Sequence, residues 1–104
     1  MTFQDMRDKA LAIRKKYAKF EKEKYGKGWT KEQLVKGFVK DVDDLMKLVS
    51  AREKNVDVEN FDQKLRHELA DCLWSTIVIA EEYEVDLKEA FFETMEELGA
   101  RLSK

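Results

Sequence analysis

Hydrophobic residues recur along most of the chain at spacings of three and four, with charged residues between them. This spacing is typical of amphipathic helices, which bury one face. It predicts helices over about 2–24, 30–52, 61–84 and 86–102, with ends uncertain by a few residues. We therefore expect an all-α fold, with a single domain over residues 1–104 in which four helices form a bundle.

Capping residues mark the predicted helix starts. Thr30 followed by Gln33 is typical of a capping box, in which each side chain bonds the other residue's backbone N–H. Asn60 is predicted to cap the third helix, and Asp86 with Glu89 repeats the cap-plus-acid pattern at the fourth. The chain has no proline and only four glycines, which also favours helices.

The apolar stripes indicate which faces are buried. One stripe on the first helix and one on the fourth are predicted to face the core (Phe3, Met6, Ala10, Ile13, Tyr17 and Phe20; Leu87, Phe91, Met95 and Leu98). The third helix is apolar on nearly all sides from Cys72 to Ala80, so it must be covered all round. Four helices of this length can barely do so alone. We therefore predict a homo-oligomer, a dimer or a tetramer, with Trp74 at its interface.

Composition excludes several classes of partner. Twenty basic and 22 acidic residues give a net charge of −2, so the chain carries no basic footprint for duplex nucleic acid or for a membrane surface. Cys72 is the sole cysteine, which rules out an intramolecular disulfide and fits a reducing compartment. The N-terminus lacks the apolar segment of a signal peptide, and no apolar run reaches membrane-span length. A cytoplasmic location is expected.

Two acidic pairs fall at the margins of apolar stripes on the two central helices. Asp41 lies inside the stripe of the second helix and Asp44 at its edge, whereas Asp43 points away. On the third helix, Glu68 lies at the margin of another stripe and Asp71 one step further round. Residues three apart project from one helix face, so two such pairs on neighbouring helices bring four carboxylates together.

Four carboxylates in a small volume oppose one another's ionisation unless a positive charge intervenes. Mg²⁺ prefers oxygen ligands and commonly binds carboxylates together with substrate phosphates, and Mn²⁺ is similar. The alternative is that these acids pair with lysines and arginines, which is the commoner outcome for a single Asp-x-x-Asp. Two pairs on consecutive helices favour a divalent-metal site.

At these residues the sequence resembles the MazG-like family of all-α nucleoside triphosphate pyrophosphohydrolases. The family pattern is Glu-x-x-Glu followed by Glu-x-x-Asp on the next helix. Here Asp41-Val-Asp-Asp44 stands for the first element and Glu68-Leu-Ala-Asp71 for the second. The resemblance also includes Trp29-Thr30 and the segment 85–87, and it extends from about residue 29 to 101.

The resemblance implies that Asp41, Asp44, Glu68 and Asp71 hold Mg²⁺ bound to nucleotide phosphates. It implies hydrolysis of a (deoxy)nucleoside triphosphate to the monophosphate and pyrophosphate, as house-cleaning of non-standard or excess nucleotides. Asp44 and Glu68 are then the catalytic residues, with Asp44 orienting a water.

This sequence departs from the family at two places. Both glutamates of the first motif are aspartates, each one methylene shorter. The family often carries a lysine, an asparagine and an arginine along its last helix. Only Arg101 matches here, since Thr94 and Leu98 occupy the other two spacings. Lys40, Lys47 and Arg52 are alternative phosphate ligands, and we take Lys47 with Arg101 as substrate-binding residues.

Four further residues allow more than one interpretation. Trp29 could stack on a base, which makes it a candidate substrate-binding residue, or it could be a packing residue at the entry of the second helix. Trp74 could likewise stack on a base. His67 is interpreted as a surface histidine. Cys72, on the apolar stripe, is interpreted as a small core residue and not a nucleophile.

Three functions compete on these observations. The first is the Mg²⁺-dependent nucleotide pyrophosphohydrolase. The second is a nucleotide- or metal-binding module whose shortened acids no longer support catalysis. The third is a helical oligomerisation or adaptor protein, suggested by the third helix, which is apolar on nearly all sides.

Overall fold

The computed structural model describes residues 1–103, and these contain four α-helices and no strand. The fold is all-α, as predicted, and each helix boundary lies within two residues of its predicted position. The helices are α1 (Phe3–Tyr25), α2 (Lys31–Glu53), α3 (Phe61–Glu82) and α4 (Leu87–Leu102). None of them offers the long, weakly charged apolar stretch that crossing a bilayer requires.

Side-chain caps begin three of the helices. At α2 the backbone N–H of Gln33 donates to Thr30 Oγ1 at 3.2 Å, and the N–H of Thr30 donates to Gln33 Oε1 at 2.7 Å. This confirms the predicted capping box, and Thr2 with Asp5 forms a second one at α1. Asp86 accepts from the N–H of Glu89 at 3.0 Å, as predicted for α4.

The start of α3 differs from the prediction. Asn60 occupies the N-cap position, but its backbone is left-handed, with φ of 57°, and its side chain makes no capping hydrogen bond. Asparagine tolerates this conformation better than most residues. The prediction that Asn60 caps α3 through its side chain is therefore wrong, because the residue is used for its backbone conformation instead.

Helix α3 is the central element of the fold. Its most extensive packing is against α2, and α1 packs against it less extensively. Asp41 of α2 bonds Ser75 of α3, while Asp44, further along α2, lies near Glu68, which is earlier in α3. The two helices are therefore antiparallel. The buried apolar residues of α3 are Ile77, Val78 and Ala80.

The structure corrects the predicted role of Trp74. Its indole Nε1–H donates to the backbone carbonyl oxygen of Ala10 at 3.0 Å, and its ring lies 5.7 Å from that of Tyr17, centroid to centroid. Both partners belong to α1 of the same chain. The indole that was expected at an oligomer interface instead joins α1 to α3, because its N–H finds an acceptor there.

Helix α4 packs little against the other three. Within the chain none of its residues is buried, and its apolar residues Phe91, Met95 and Leu98 are 54%, 42% and 43% exposed. The prediction that this stripe faces the core of the same chain is therefore wrong. The stripe on α1 is mixed: Ala10 is buried, whereas Tyr17 and Phe20 are about half exposed.

Truncation of Val78 tests the importance of the α3 core. Val78 is 3% exposed, so Val78→Ala removes buried methyl groups and leaves a space, which should lower the free energy of unfolding by about 2–3 kcal/mol. Val39→Ala, the same change at a 61% exposed position of α2, should alter it by less than about 0.5 kcal/mol. Urea denaturation followed by circular dichroism, at one protein concentration, measures both. Equal effects would contradict the described core.

Candidate metal centre

The four predicted carboxylates lie along the surfaces where α2 and α3 meet. Asp41 and Asp44 on α2, and Glu68 and Asp71 on α3, are all half-buried, whereas Asp43 is exposed. The helical spacing accounts for this difference in exposure. Successive residues of an α-helix are about 100° apart, so Asp43 lies on the solvent side of Asp44. The structure thus orients these acids as the apolar stripes predicted.

Ser75 holds Asp41 across the helix pair. Its hydroxyl donates to Asp41 Oδ2 at 2.9 Å, which leaves Oδ1 without a described hydrogen bond. Ser75 was not predicted as a site residue. Its spacing was available, because Ser75 follows Glu68 by seven residues and Asp71 by four, which places all three near one face of α3.

Asp44 and Glu68 border one open depression between α2 and α3. The same depression is lined by Lys47 from α2 and Lys64 from α3, so two carboxylates and two ammonium groups share it. Asp44 also accepts a hydrogen bond from Lys40 Nζ at 3.2 Å. Lys64 was not predicted as a site residue, although it lies one helical turn before Glu68 on the same side of α3.

Asp71 is paired with the lone histidine. His67 Nε2 lies 3.1 Å from Asp71 Oδ2, one turn apart on α3. The imidazole is 71% exposed, as expected for a surface histidine. Such an exposed i,i+4 contact contributes little to stability and is easily exchanged for water.

Cys72 lies between these acids. Partial burial raises the pKa of its thiol, and the negative charges of Asp41, Glu68 and Asp71 raise it further. The thiol is therefore protonated at neutral pH, which fits a packing residue and not a nucleophile.

The carboxylates are the type of ligand that a hard cation prefers, but they are not arranged in a preformed coordination site. Within residues 1–103 no three histidine, cysteine or acidic side chains are arranged to hold a metal ion. The oxygen donors match the preference of Mg²⁺. The groups that now bond Asp44 and Asp71 are the exposed side chains of Lys40 and His67, which a cation could displace at low cost. The donor set therefore suits a divalent ion by chemical type, though not by arrangement.

A cavity of about 190 Å³ lies next to Asp41 and is rich in aromatic side chains. Its lining includes Arg14, Tyr17, Trp29, Asp41, Trp74 and Ser75. Trp29 is 46% exposed, and its backbone N–H donates to Glu21 Oε1 at 3.0 Å. Trp29 is thus both packed at the entry of α2, as one interpretation predicted, and open to the cavity, as the other required.

The two predicted phosphate ligands are placed differently. Lys47 Nζ lies 2.9 Å from Asp43 Oδ2, and this carboxylate raises the pKa of the Lys47 ammonium. Lys47 is therefore charged at neutral pH and borders the depression of Asp44 and Glu68. Arg101 lies in the last turn of α4, and no ion pair within residues 1–103 joins it to an acid.

Comparison with known families and proteins gives one match. Residues 30–103, which are most of the chain, match the family model for the MazG nucleotide pyrophosphohydrolase domain. Neither the curated proteins nor the solved structures include a significant match to this chain. The matched segment contains α2, α3 and α4 and therefore all four carboxylates, whereas α1 lies outside it.

Proposed function

We propose that this chain, which belongs to the MazG nucleotide pyrophosphohydrolase family, hydrolyses nucleoside or deoxynucleoside triphosphates to the monophosphate and pyrophosphate. Membership of the family supports nucleotide pyrophosphohydrolase activity. The single observation that carries the proposal is the position of four half-buried carboxylates on α2 and α3, two of which, Asp44 and Glu68, border one depression. The substrate class and the need for Mg²⁺ or Mn²⁺ are part of the proposal.

In this proposal Asp41, Asp44, Glu68 and Asp71 hold the divalent cation. When bound, Mg²⁺ supplies positive charge that offsets the negative charge developing on the phosphates and promotes ionisation of a water. Asp44 is the residue proposed to orient the attacking water. In this proposal the cation replaces Lys40 at Oδ2 of Asp44, and Oδ1 accepts a hydrogen bond from that water. The water oxygen forms a bond to the α or the β phosphorus as the bond between that phosphorus and the bridging oxygen breaks. The bridging oxygen leaves with the other phosphate group, and the attacking water releases its proton to solvent.

Glu68 and the neighbouring lysines complete this part of the proposed site. Glu68 borders the same depression as Asp44, so its carboxylate lies where the cation and phosphates would meet. Lys47 and Lys64 enter the depression from opposite helices and are the proposed phosphate ligands. They offer the cationic groups that α4 lacks at Thr94 and Leu98. Arg101 can add a further contact only if α4 approaches the site.

Trp29 is the proposed contact for the base. An aromatic face suits any nucleobase, and the cavity adds Tyr17 and Trp74 to the stacking surface. Asp41 borders this cavity and also belongs to the carboxylate group, so the base and the phosphates of one nucleotide can be bound side by side.

Self-association, as a homodimer or homotetramer in the cytoplasm, also belongs to this proposal. The apolar face of α4 supports it, because Phe91, Met95 and Leu98 form a stripe that no helix of the same chain covers. Contiguous exposed apolar surface of this kind marks interaction sites.

Direct assay of a triphosphate panel tests the proposed reaction. With Mg²⁺ or Mn²⁺ present, at least one nucleoside or deoxynucleoside triphosphate should yield pyrophosphate and the monophosphate in equal amounts, with no orthophosphate. Addition of excess chelator should abolish the reaction because the carboxylates then lack their cation. Release of orthophosphate, or no turnover with any member of the panel, would refute the proposal.

A second candidate is a nucleotide-binding module without catalysis. The shorter aspartates at 41 and 44 favour it, as does the absence from residues 1–103 of a preformed three-ligand group. It predicts that a metal–nucleotide complex raises the Tm without being hydrolysed, since a ligand that binds only the folded state stabilises it. An adaptor role, which the exposed face of α4 suggests, predicts instead no change of Tm with nucleotide and a partner that co-purifies.

A further inference from the structure

A buried ion pair on α1 holds the segment that carries Trp29. Glu21 is 4% exposed, and its two carboxylate oxygens accept from the guanidinium of Arg14 at 2.7 and 2.9 Å. Oε1 also accepts from the backbone N–H of Trp29 at 3.0 Å. These bonds fix Trp29, two residues before α2, to the C-terminal part of α1. The Glu21 carboxylate is thus a fixed anchor for Trp29.

The charge on Glu21 is kept at neutral pH. The hydrogen bond from Arg14 is the main cause that lowers the pKa of the Glu21 carboxyl. Burial opposes it, but the N–H of Trp29 and the positive charge of Arg14 lower the pKa further, so the net shift is downward. A carboxyl with a lowered pKa stays ionised until the pH falls below its ordinary value of about 4.3. The anchor is therefore intact under conditions in which nucleotides would be bound.

Gly37 determines how close the Trp29 ring comes to α2. A Cβ atom built on Gly37 would lie 3.4 Å from Cζ3 of Trp29, at the short end of van der Waals contact. A larger side chain would reach further and occupy the space of the ring. The absence of a side chain at Gly37 thus lets the indole rest on the helix backbone.

We propose that Glu21 and Gly37 are positioning residues that hold Trp29 at the cavity beside Asp41, one through the backbone N–H and the other through the space it leaves for the indole. The proposal rests on the proposed function, in which Trp29 contacts the base. Glu21 lies on α1, outside the segment that matches the family model, so the match itself gives it no role.

Fluorine NMR tests the positioning without any substrate. The protein is labelled with 5-fluorotryptophan, which gives one signal each for Trp29 and Trp74, and Trp29→Phe assigns them. Glu21→Gln should shift or broaden the Trp29 signal, because the amide NH2 cannot accept from Arg14 Nη1 as Oε2 does, and the uncharged amide oxygen binds Arg14 and the Trp29 N–H more weakly. The Trp74 signal should change less. Glu23→Gln, an exposed change on the same helix, should leave both signals unchanged.

Gly37→Val provides a second test that does not disturb the ion pair. Valine is no worse a helix former than glycine, so the Tm should not fall, yet its methyl groups should displace the Trp29 ring and shift its signal. Gly99→Val is the matched control, because Gly99 is also helical and a Cβ built there meets nothing within 4 Å. Unchanged Trp29 signals in both Glu21→Gln and Gly37→Val would overturn the positioning role.

Kinetics connect the positioning to substrate binding. With the best triphosphate of the panel, both variants should raise KM about tenfold, the loss expected for a disturbed base–aromatic contact, while kcat stays within about twofold. A shifted Trp29 signal with an unchanged KM would overturn the link to substrate. If the unaltered protein hydrolyses no triphosphate but the signals shift, the proposed function fails and the positioning of Trp29 stands.

Discussion

Glu68→Gln is expected to lower kcat/KM for triphosphate hydrolysis by about 100-fold or more. Glutamine keeps the size of the side chain and removes its charge at the point where α2 and α3 bring Asp44 and Glu68 to one depression. The same variant should not lose stability, because it relieves repulsion among neighbouring carboxylates. Initial rates of pyrophosphate release, with thermal denaturation alongside, measure both effects.

Glu82→Gln is the matched control for that change. Glu82 lies on the same helix and is exposed, so the same substitution there should change kcat/KM by less than about twofold. Titration of the Cys72 thiol gives an independent check of the geometry. Because the charge of Glu68 helps to raise the pKa of this thiol, Glu68→Gln should lower that pKa toward its ordinary value. Equal losses of activity in the two variants would contradict the proposed role of Glu68.

Phe91→Glu is expected to convert the protein from an oligomer to a monomer. The phenyl group is 54% exposed within the chain, at the centre of the apolar stripe on α4. If a second copy covers this face in a symmetric dimer, the substitution removes one phenyl group from each copy. Burial of one such side chain contributes about 1.5–3 kcal/mol to the free energy of association. The dissociation constant should then rise by at least about 100-fold. Light scattering over a range of concentrations measures the mass.

Ala100→Glu provides the comparison for that experiment. Ala100 is exposed on the opposite side of α4, so the same new carboxylate should leave the oligomer intact. The stability of the isolated chain should respond little to either change, since no residue of α4 is buried against the other helices. A monomeric unaltered protein at all concentrations, or equal dissociation of both variants, would contradict the predicted interface.

The local features of the fold could be predicted from the sequence because their causes are local. Thr30 with Gln33 and Asp86 with Glu89 begin their helices as the capping rules require. The half-buried positions of Asp41 and Asp44, against the exposed Asp43, follow from the angle between successive residues of a helix.

The features that depend on contacts between helices were harder to predict from the sequence. Periodicity shows that α4 has an apolar face but does not say whether α3 or another molecule covers it. The partner of Trp74 depended on where α1 crosses α3, and only the fold supplies the carbonyl oxygen of Ala10. The roles of the site residues as metal ligands and substrate contacts remain predictions, because they depend on a cation and a nucleotide and not on contacts within the chain.

The family match covers α2, α3 and α4 but not α1, and the proposed function gives different roles to the helices inside and outside the match. The carboxylates that would carry the chemistry lie on α2 and α3, inside the match, whereas Arg14, Tyr17 and Glu21 on α1 shape the aromatic cavity from outside it. In the proposed function, α1 thus contributes to the cavity for the base but carries none of the four carboxylates. Substitutions in α1 can change which nucleotide is accepted while the hydrolytic groups stay intact, so α1 is the element to diversify when a pyrophosphohydrolase of altered base preference is sought.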